Sequence, residues 1–169
     1  MDASAAPLRA DALPCASPYQ RAGRIVVDAS PGSVFDVLAD PAQHAVIDGS
    51  GSVQGRFAGP SRLSLGATFG MDMRIVLPYR IRNTVVEFDE GRVIAWRHIN
   101  GHRWRYELTG LPDAQGNPDA RTEVVETFDG TTARIPASLM LIGAYDRNQM
   151  AILKTLVRLK KHVETGSRE

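Results

Sequence analysis

The sequence predicts an α+β fold, an antiparallel sheet curled around a long C-terminal helix with a cavity between the two. Three features carry this prediction. Two short helices stand back to back in Ala29 to Ile47, A-S-P-G-S-V-F-D-V-L-A-D-P-A-Q-H-A-V-I, with a strand ahead of them and a run of strands behind. Apolar and polar residues alternate through those strands. The chain then closes on apolar residues spaced by three and four, the mark of an amphipathic helix.

The 169 residues, 43% of them hydrophobic, suit one domain with a sizeable core, because a chain of this size buries about 70% of its unfolded surface on folding. With 20 basic and 19 acidic residues the formal net charge is +1, too small for a global field that would gather nucleic acid or anionic lipid. Cys15 is the only cysteine, so neither an intrachain disulfide nor a multi-cysteine metal site is expected, in keeping with a cytoplasmic protein. The opening M-D-A-S-A-A-P-L-R-A-D-A-L-P-C-A-S-P lacks a basic leader followed by an unbroken apolar stretch, and nothing later reads as a membrane span. Its prolines and charges predict a flexible extension over residues 1–20, ahead of a domain over 21–165 and a tail over 166–169.

From Arg24 the chain alternates as a first strand, with Ile25 and Val27 set against Val26 and Asp28. Ser30 then caps a helix whose first position is Pro31, and Val34, Phe35 and Leu38 share one face of it. Asp40, Pro41 and Gln43 repeat the start signal, with Gln43 placed to reach back as in a capping box. Gly49 to Ser52 make a flexible turn before a strand over Val53 to Ala58. Phe69, Met71, Met73 and Ile75 alternate with Gly70, Asp72 and Arg74 as a half-buried strand that Pro78 ends. Tyr79 to Phe88 and Arg92 to His98 pair across the tight turn Asp89, Glu90 and Gly91. Trp104, Tyr106 and Leu108 mark the next strand, and a polar loop from Pro112 to Ala120 leads into the last, Thr122 to Phe128. Ile135 to Val163 is expected as one helix about 42 Å long. Leu139, Ile142, Tyr145, Ile152, Leu153, Leu156, Leu159 and Val163 face the sheet, while Asp146, Arg147, Lys154, Arg158, Lys160 and Lys161 face water.

Over Arg24 to Val163 the chain resembles the START-like (SRPBCC) superfamily, and within it the bacterial polyketide cyclase/dehydrase and lipid-transport group related to the birch pollen allergen. The resemblance rests on the element order, on S-P-G-S-V-F-D-V-L-A-D-P at the helix pair, on F-D-E-G-R-V-I-A-W-R from Phe88 to Arg97, and on T-E-V-V-E-T-F-D from Thr122 to Asp129. It implies a helix-grip fold whose curved antiparallel sheet wraps the C-terminal helix and leaves an apolar cavity open near the helix pair. It implies no catalytic residues, since the family shares none throughout. Many relatives place a tryptophan after the D-P turn, where this chain has His44 and Ile47, so its cavity mouth is expected to differ.

Strand parity gives an independent view of the cavity wall. If Met71 and Met73 face inward, the same parity selects Ile81, Asn83 and Val85, then Ile94, Trp96 and His98, then Trp104, Tyr106 and Leu108. Arg80, Arg82, Arg97, Arg103 and Arg105 all fall on the other face, which supports the choice. In the last strand Val124 and Phe128 must face inward and bring Glu126 with them unless a bulge intervenes. A buried carboxylate is costly unless paired or protonated, so Glu126 is either functional or partnered.

The expected ligand contacts are therefore Met71, Met73, Asn83, Trp96, Trp104 and Tyr106 from the sheet, with Leu139, Ile142 and Tyr145 as a lid from the helix and His44 and Asp48 near the entrance. Leu153, Leu156 and Leu159 are expected to seal the closed end. Glu126 and His98 are the candidate catalytic pair, because an apolar site pushes both groups toward neutrality, with Tyr106 and Asn83 orienting a substrate carbonyl. The plainer alternatives are that His98 sits in solvent at a strand end, that Glu126 pairs with an arginine, that His44 faces the last carbonyls of its helix, and that the tryptophans and methionines are core.

No metal or other cofactor is expected. His44, His98, His102 and His162 show no ligand spacing, and no phosphate-cradling glycine motif occurs. The favoured function is binding of a small hydrophobic, lipid- or polyketide-like ligand by a carrier or sensor, as monomer or homodimer, with neither nucleic acid nor integral membrane association. The alternative is a polyketide cyclase or dehydratase using acid and base groups of the cavity. A protein-interaction module is a third possibility, and would show an exposed apolar patch in place of a pocket.

Overall fold

A computed structural model describes residues 8–74 and 77–166 of the chain. In order it runs β1 (Asp11–Leu13), β2 (Gln20–Val27), α1 (Pro31–Ala39), a 3-10 turn over Pro41–Gln43, α2 (His44–Ile47), β3 (Val53–Ala58), β4 (Thr68–Arg74), β5 (Pro78–Asp89), β6 (Val93–Arg97), β7 (Arg103–Leu111), β8 (Arg121–Asp129), α3 (Pro136–Leu141) and α4 (Ala144–Gly166). Among the described residues the strands form one sheet in the order β1-β2-β8-β7-β6-β5-β4-β3. Every neighbouring pair is antiparallel. None of the described helices is long and apolar enough to cross a membrane.

The helix signals work largely as read. Ser30 accepts a hydrogen bond from Ser33 N at 3.3 Å and Pro31 opens α1, whose Val34, Phe35 and Leu38 are buried. Asp40 accepts from Ala42 N at 2.9 Å. Gln43 departs from the capping box: its amide donates to the Asp40 side chain at 3.3 Å, so no reciprocal backbone bond closes the motif. The segment accordingly forms a 3-10 turn and one turn of α-helix.

Three expectations are corrected, and a bulge is added that the sequence reading does not address. Residues 11–13, read as loose, pair with Ala22 to Arg24 as β1, so the folded unit starts before residue 21; residues 1–7, 167–169 and Ile75 lie outside the described residues. Pro78 opens β5 and does not simply close the preceding strand, a position at which its missing N–H costs no ladder bond. A bulge between Val85 and Glu87 resets the alternation, turning Glu87 outward to Arg105 and Phe88 inward onto Phe35, ring centroids 5.3 Å apart. The expected single terminal helix is broken at Ile142 and Gly143, where Gly143 takes φ 64° and donates its N–H to Met140 O at 3.0 Å. A left-handed glycine ends a helix at little steric expense, and α4 starts afresh beyond it.

The core lies between the concave face of the sheet and α4, with α1 closing one end. Gly23 on β2 permits a close approach to the helix: a Cβ there would sit 2.9 to 3.2 Å from Ile152, Leu153 and Leu156. Ile152, Leu156 and Leu159 are fully buried against the sheet. Gly49 similarly docks the end of α2 on α4, its N–H donating to Thr155 Oγ1 at 2.9 Å.

Candidate ligand-binding site

The concave face carries three successive rows of side chains fixed by register. In the first, Tyr106 on β7 stands opposite Glu126 on β8 and Ile94 on β6. In the second, Trp104 stands between Trp96 on β6 and Phe128 on β8. In the third, His98 and His102 face each other across the turn joining β6 and β7, with His98 N donating to His102 O at 3.1 Å. β8 is regular from Arg121 to Asp129 on both flanks, so nothing turns Glu126 outward. Arg80 meets Asp72 at 2.8 Å, and Arg105 meets Glu87, on the opposite face.

A cavity of about 240 Å³ lies over these rows. Met71, Met73, Asn83, Trp96, His98, Trp104, Tyr106, Glu126 and Leu139 line it, joined by His44 and Asp48 from the helix-pair side. Ile142 does not line it. It is 62% exposed because the break at Gly143 swings that turn away from the sheet. Tyr145 is buried but points elsewhere, with its ring 5.7 Å from that of Phe128 and its hydroxyl donating to Pro136 O at 3.1 Å. The expected helix lid thus reduces to Leu139.

Several lining residues escaped the sequence reading. From α4 they are Ala144, Asn148, Ala151 and Thr155, a stripe at intervals of four, three and four. That stripe was legible as a helical face, but reasoning from large apolar residues selects those that fill the core, whereas the cavity survives where the helix side chains are small. His102 lines the cavity as well; its pairing with His98 depends on the turn between them, which helical spacing rules do not address.

The polar groups are held in unusual states. Glu126 is 2% exposed; its Oε1 accepts from the Tyr106 hydroxyl at 2.8 Å and its Oε2 has no protein partner. Burial raises this carboxyl to about 8, against the lowering effect of the Tyr106 hydrogen bond and with a further push from the Asp48 charge. Burial likewise drives Tyr106 well above the usual phenol range. Glu126 therefore meets a tyrosine and no arginine. Asn83 is 1% exposed and its Oδ1 also lacks a partner.

His44 stacks on Trp96 at 4.9 Å, and its Nε2 must donate, since its partner is the Leu38 carbonyl at 2.9 Å. Burial lowers its pKa, so the ring is neutral and presents Nδ1 as an acceptor. The plain reading places this residue against the last carbonyls of its own helix; instead His44 opens α2 and meets a carbonyl of the preceding helix α1, and its ring also walls the cavity. Asp48 chiefly organises the α2–β3 connection, accepting from Ser50 N at 3.0 Å and Val53 N at 3.0 Å.

His98 and His102 stack with centroids 4.5 Å apart, and burial lowers them to about 3 and about 4 respectively. His98 is not simply a solvent-exposed strand end. It does, however, stand two rows from Glu126, about 13 Å along the strands at 3.3 Å per residue, with Trp96, Trp104 and Phe128 between. The two groups share one cavity without forming a contact pair. Among the described residues no three His, Cys, Asp or Glu side chains gather to hold a metal ion.

No protein-family model matches the chain. It is 37% identical over 118 residues to the uncharacterized protein Rv0088 of Mycobacterium tuberculosis (strain ATCC 25618 / H37Rv), an alignment covering 62% of this chain and 50% of that protein. The chain thus spans about half the length of the curated relatives it matches. Among solved structures it is similar to an AHSA1-like protein from Aeromonas hydrophila, with TM-score 0.55, 18% identity, and coverage of 88% of this chain and 95% of the other. It is also similar to the Polyketide_cyc-like protein Cgl2372 from Corynebacterium glutamicum, with TM-score 0.55, 14% identity, and coverage of 90% and 96%. An antiparallel sheet of this order, curved about a C-terminal helix behind a helix pair, is a helix-grip fold, and this chain shares that fold with the two solved structures.

Proposed function

We propose that this chain binds a small hydrophobic molecule, lipid- or polyketide-like, in its internal cavity and serves as a carrier or sensor. One observation carries the reading: the small stripe Ala144, Asn148, Ala151 and Thr155 on α4 leaves about 240 Å³ facing Met71, Trp96 and Trp104. A core of this apolar character would normally close on itself; a concave, largely apolar space with few polar groups is the usual form of a small-molecule site. The test is native mass spectrometry of freshly purified protein, together with titration of an apolar fluorescent probe into the wild type and Ala151→Leu. A retained ligand, or probe binding that the cavity-filling variant abolishes, supports the proposal. Equal probe binding by both proteins, with no retained ligand, contradicts it.

A second reading, cyclase or dehydratase chemistry, draws on the Glu126 carboxyl, which stays protonated near neutral pH as a general acid requires. The separation of Glu126 from His98 removes the expected base, so such chemistry would rest on Glu126 and Tyr106. Turnover lost in Glu126→Gln but kept in His98→Ala would favour this form of it.

A further inference from the structure

Resting on the cavity as the binding site, we propose that its ligand is uncharged and presents a carbonyl-type oxygen to the Glu126 carboxyl, and that carboxylate ligands are rejected. Glu126 Oε2 is buried and unpartnered at the cavity wall, while Oε1 is already held by Tyr106 at 2.8 Å. An unmatched polar atom of this kind costs stability until something meets it. As the neutral acid, the favoured form below about 8, Oε2 offers a proton and requires an acceptor.

The surroundings exclude an anion. Among the described residues lining the cavity there is no arginine or lysine, and burial keeps His44, His98 and His102 neutral. Tyr106 from β7 and Asp48 from the α2–β3 connection act on Glu126; His44 from α2 lines the same cavity, and α4 contributes only the uncharged Ala144, Asn148, Ala151 and Thr155. A carboxylate would lose its hydration without a countercharge and would meet the Asp48 field. The Asn83 amide, on β5, remains for a second polar group of the same molecule.

Three probes of one skeleton decide the matter: 2-acetylnaphthalene, 2-ethylnaphthalene and 2-naphthoate, titrated by quenching of Trp96 and Trp104. Near pH 6.5 the ketone should bind about tenfold more tightly than the hydrocarbon, the scale of one buried hydrogen bond, and the carboxylate more weakly than either. At about pH 9.5 ionisation of Glu126 should erase the ketone's advantage. Glu126→Gln, which keeps an N–H donor at that position, should retain the preference at both pH values, and Glu126→Leu should bind ketone and hydrocarbon alike. Naphthoate binding as tightly as the ketone would overturn the proposal, as would a ketone preference unchanged in Glu126→Leu. If that variant does not fold, a wild-type preference that persists at the higher pH is the refuting result. Binding by none of the three probes would instead overturn the cavity reading on which the proposal rests.

Discussion

The buried carboxyl predicts an alkaline loss of stability that one isosteric substitution removes. Burial moves Glu126 from its ordinary 4.5 to about 8. Between those values the folded chain holds a proton that the unfolded chain has released, so the associated stability is full below 4.5 and is lost as pH rises through 8. The histidines act in the opposite sense. His98 and His102, lowered by burial from 6.5 to about 3 and about 4, and His44, lowered also, contribute stability present above 6.5 and lost as pH falls toward their folded values. Above 6.5, then, Glu126 acts without them. One proton of difference gives about 1.4 kcal/mol per pH unit, or about 2 kcal/mol between pH 6.5 and 8. Urea unfolding of wild type and Glu126→Gln at a series of pH values isolates this quantity, because titrations common to both proteins cancel in the difference. Wild-type stability relative to the variant should fall by about that amount across the interval. Parallel profiles would refute the reasoning, and a relative gain by the wild type would reverse it.

Leu156, fully buried against Gly23, should cost about 2–5 kcal/mol when truncated to alanine; Ile142→Ala, at an exposed turn, should change urea stability by less than about 0.5 kcal/mol. Equal losses at the two positions would contradict the break between α3 and α4. Gly49→Ala should destabilise by about 1–3 kcal/mol, since the new Cβ would sit 2.4 Å from Thr155 N and 2.5 Å from Ala151 O; an unshifted melting temperature would show that α2 does not seat on α4 as described. His98→Ala should flatten the acid side of the stability profile between about pH 3 and 6.5, and an unchanged acid side would show that His98 is not held neutral by burial.

The fold was legible because its signals are local and repeated. Pro31 after Ser30 and Pro41 after Asp40 mark two starts that need no tertiary information. The inward parity from Met71 through Leu108 agrees with five arginines placed on the opposite face, and no single strand could have supplied that check. What was not legible depends on partners distant in sequence. Asp11 to Leu13 are too short a segment to announce a strand and pair as one along the edge that β2 offers. Gly143 sits inside an amphipathic pattern whose spacing continues on both sides, so periodicity alone cannot distinguish a tolerated glycine from a left-handed cap. Ile142 and Tyr145 were misplaced for that reason. His102 was passed over because helical spacing is the wrong rule across a turn, although its pairing with His98 follows from the strand register once β6 and β7 are joined.

Glu126 illustrates the difference between a residue that a fold compels and one that it merely admits. With β8 paired without a bulge on both flanks, keeping Val124 and Phe128 in the core obliges position 126 to face inward. That argument fixes a direction and not a side chain; an apolar residue of similar volume would pack there without the desolvation cost. The acid is instead clamped through one oxygen by Tyr106 and left open through the other, the arrangement of a donor already oriented before anything arrives. Beyond it the wall is aromatic for one row, and then comes a pair of neutral imidazoles. The cavity is therefore polarised along the strands: the Glu126 carboxyl at one end, tilted aromatic rings in the middle and imidazole nitrogens at the other, so that the proposed ligand has one preferred orientation, with its carbonyl oxygen toward β8.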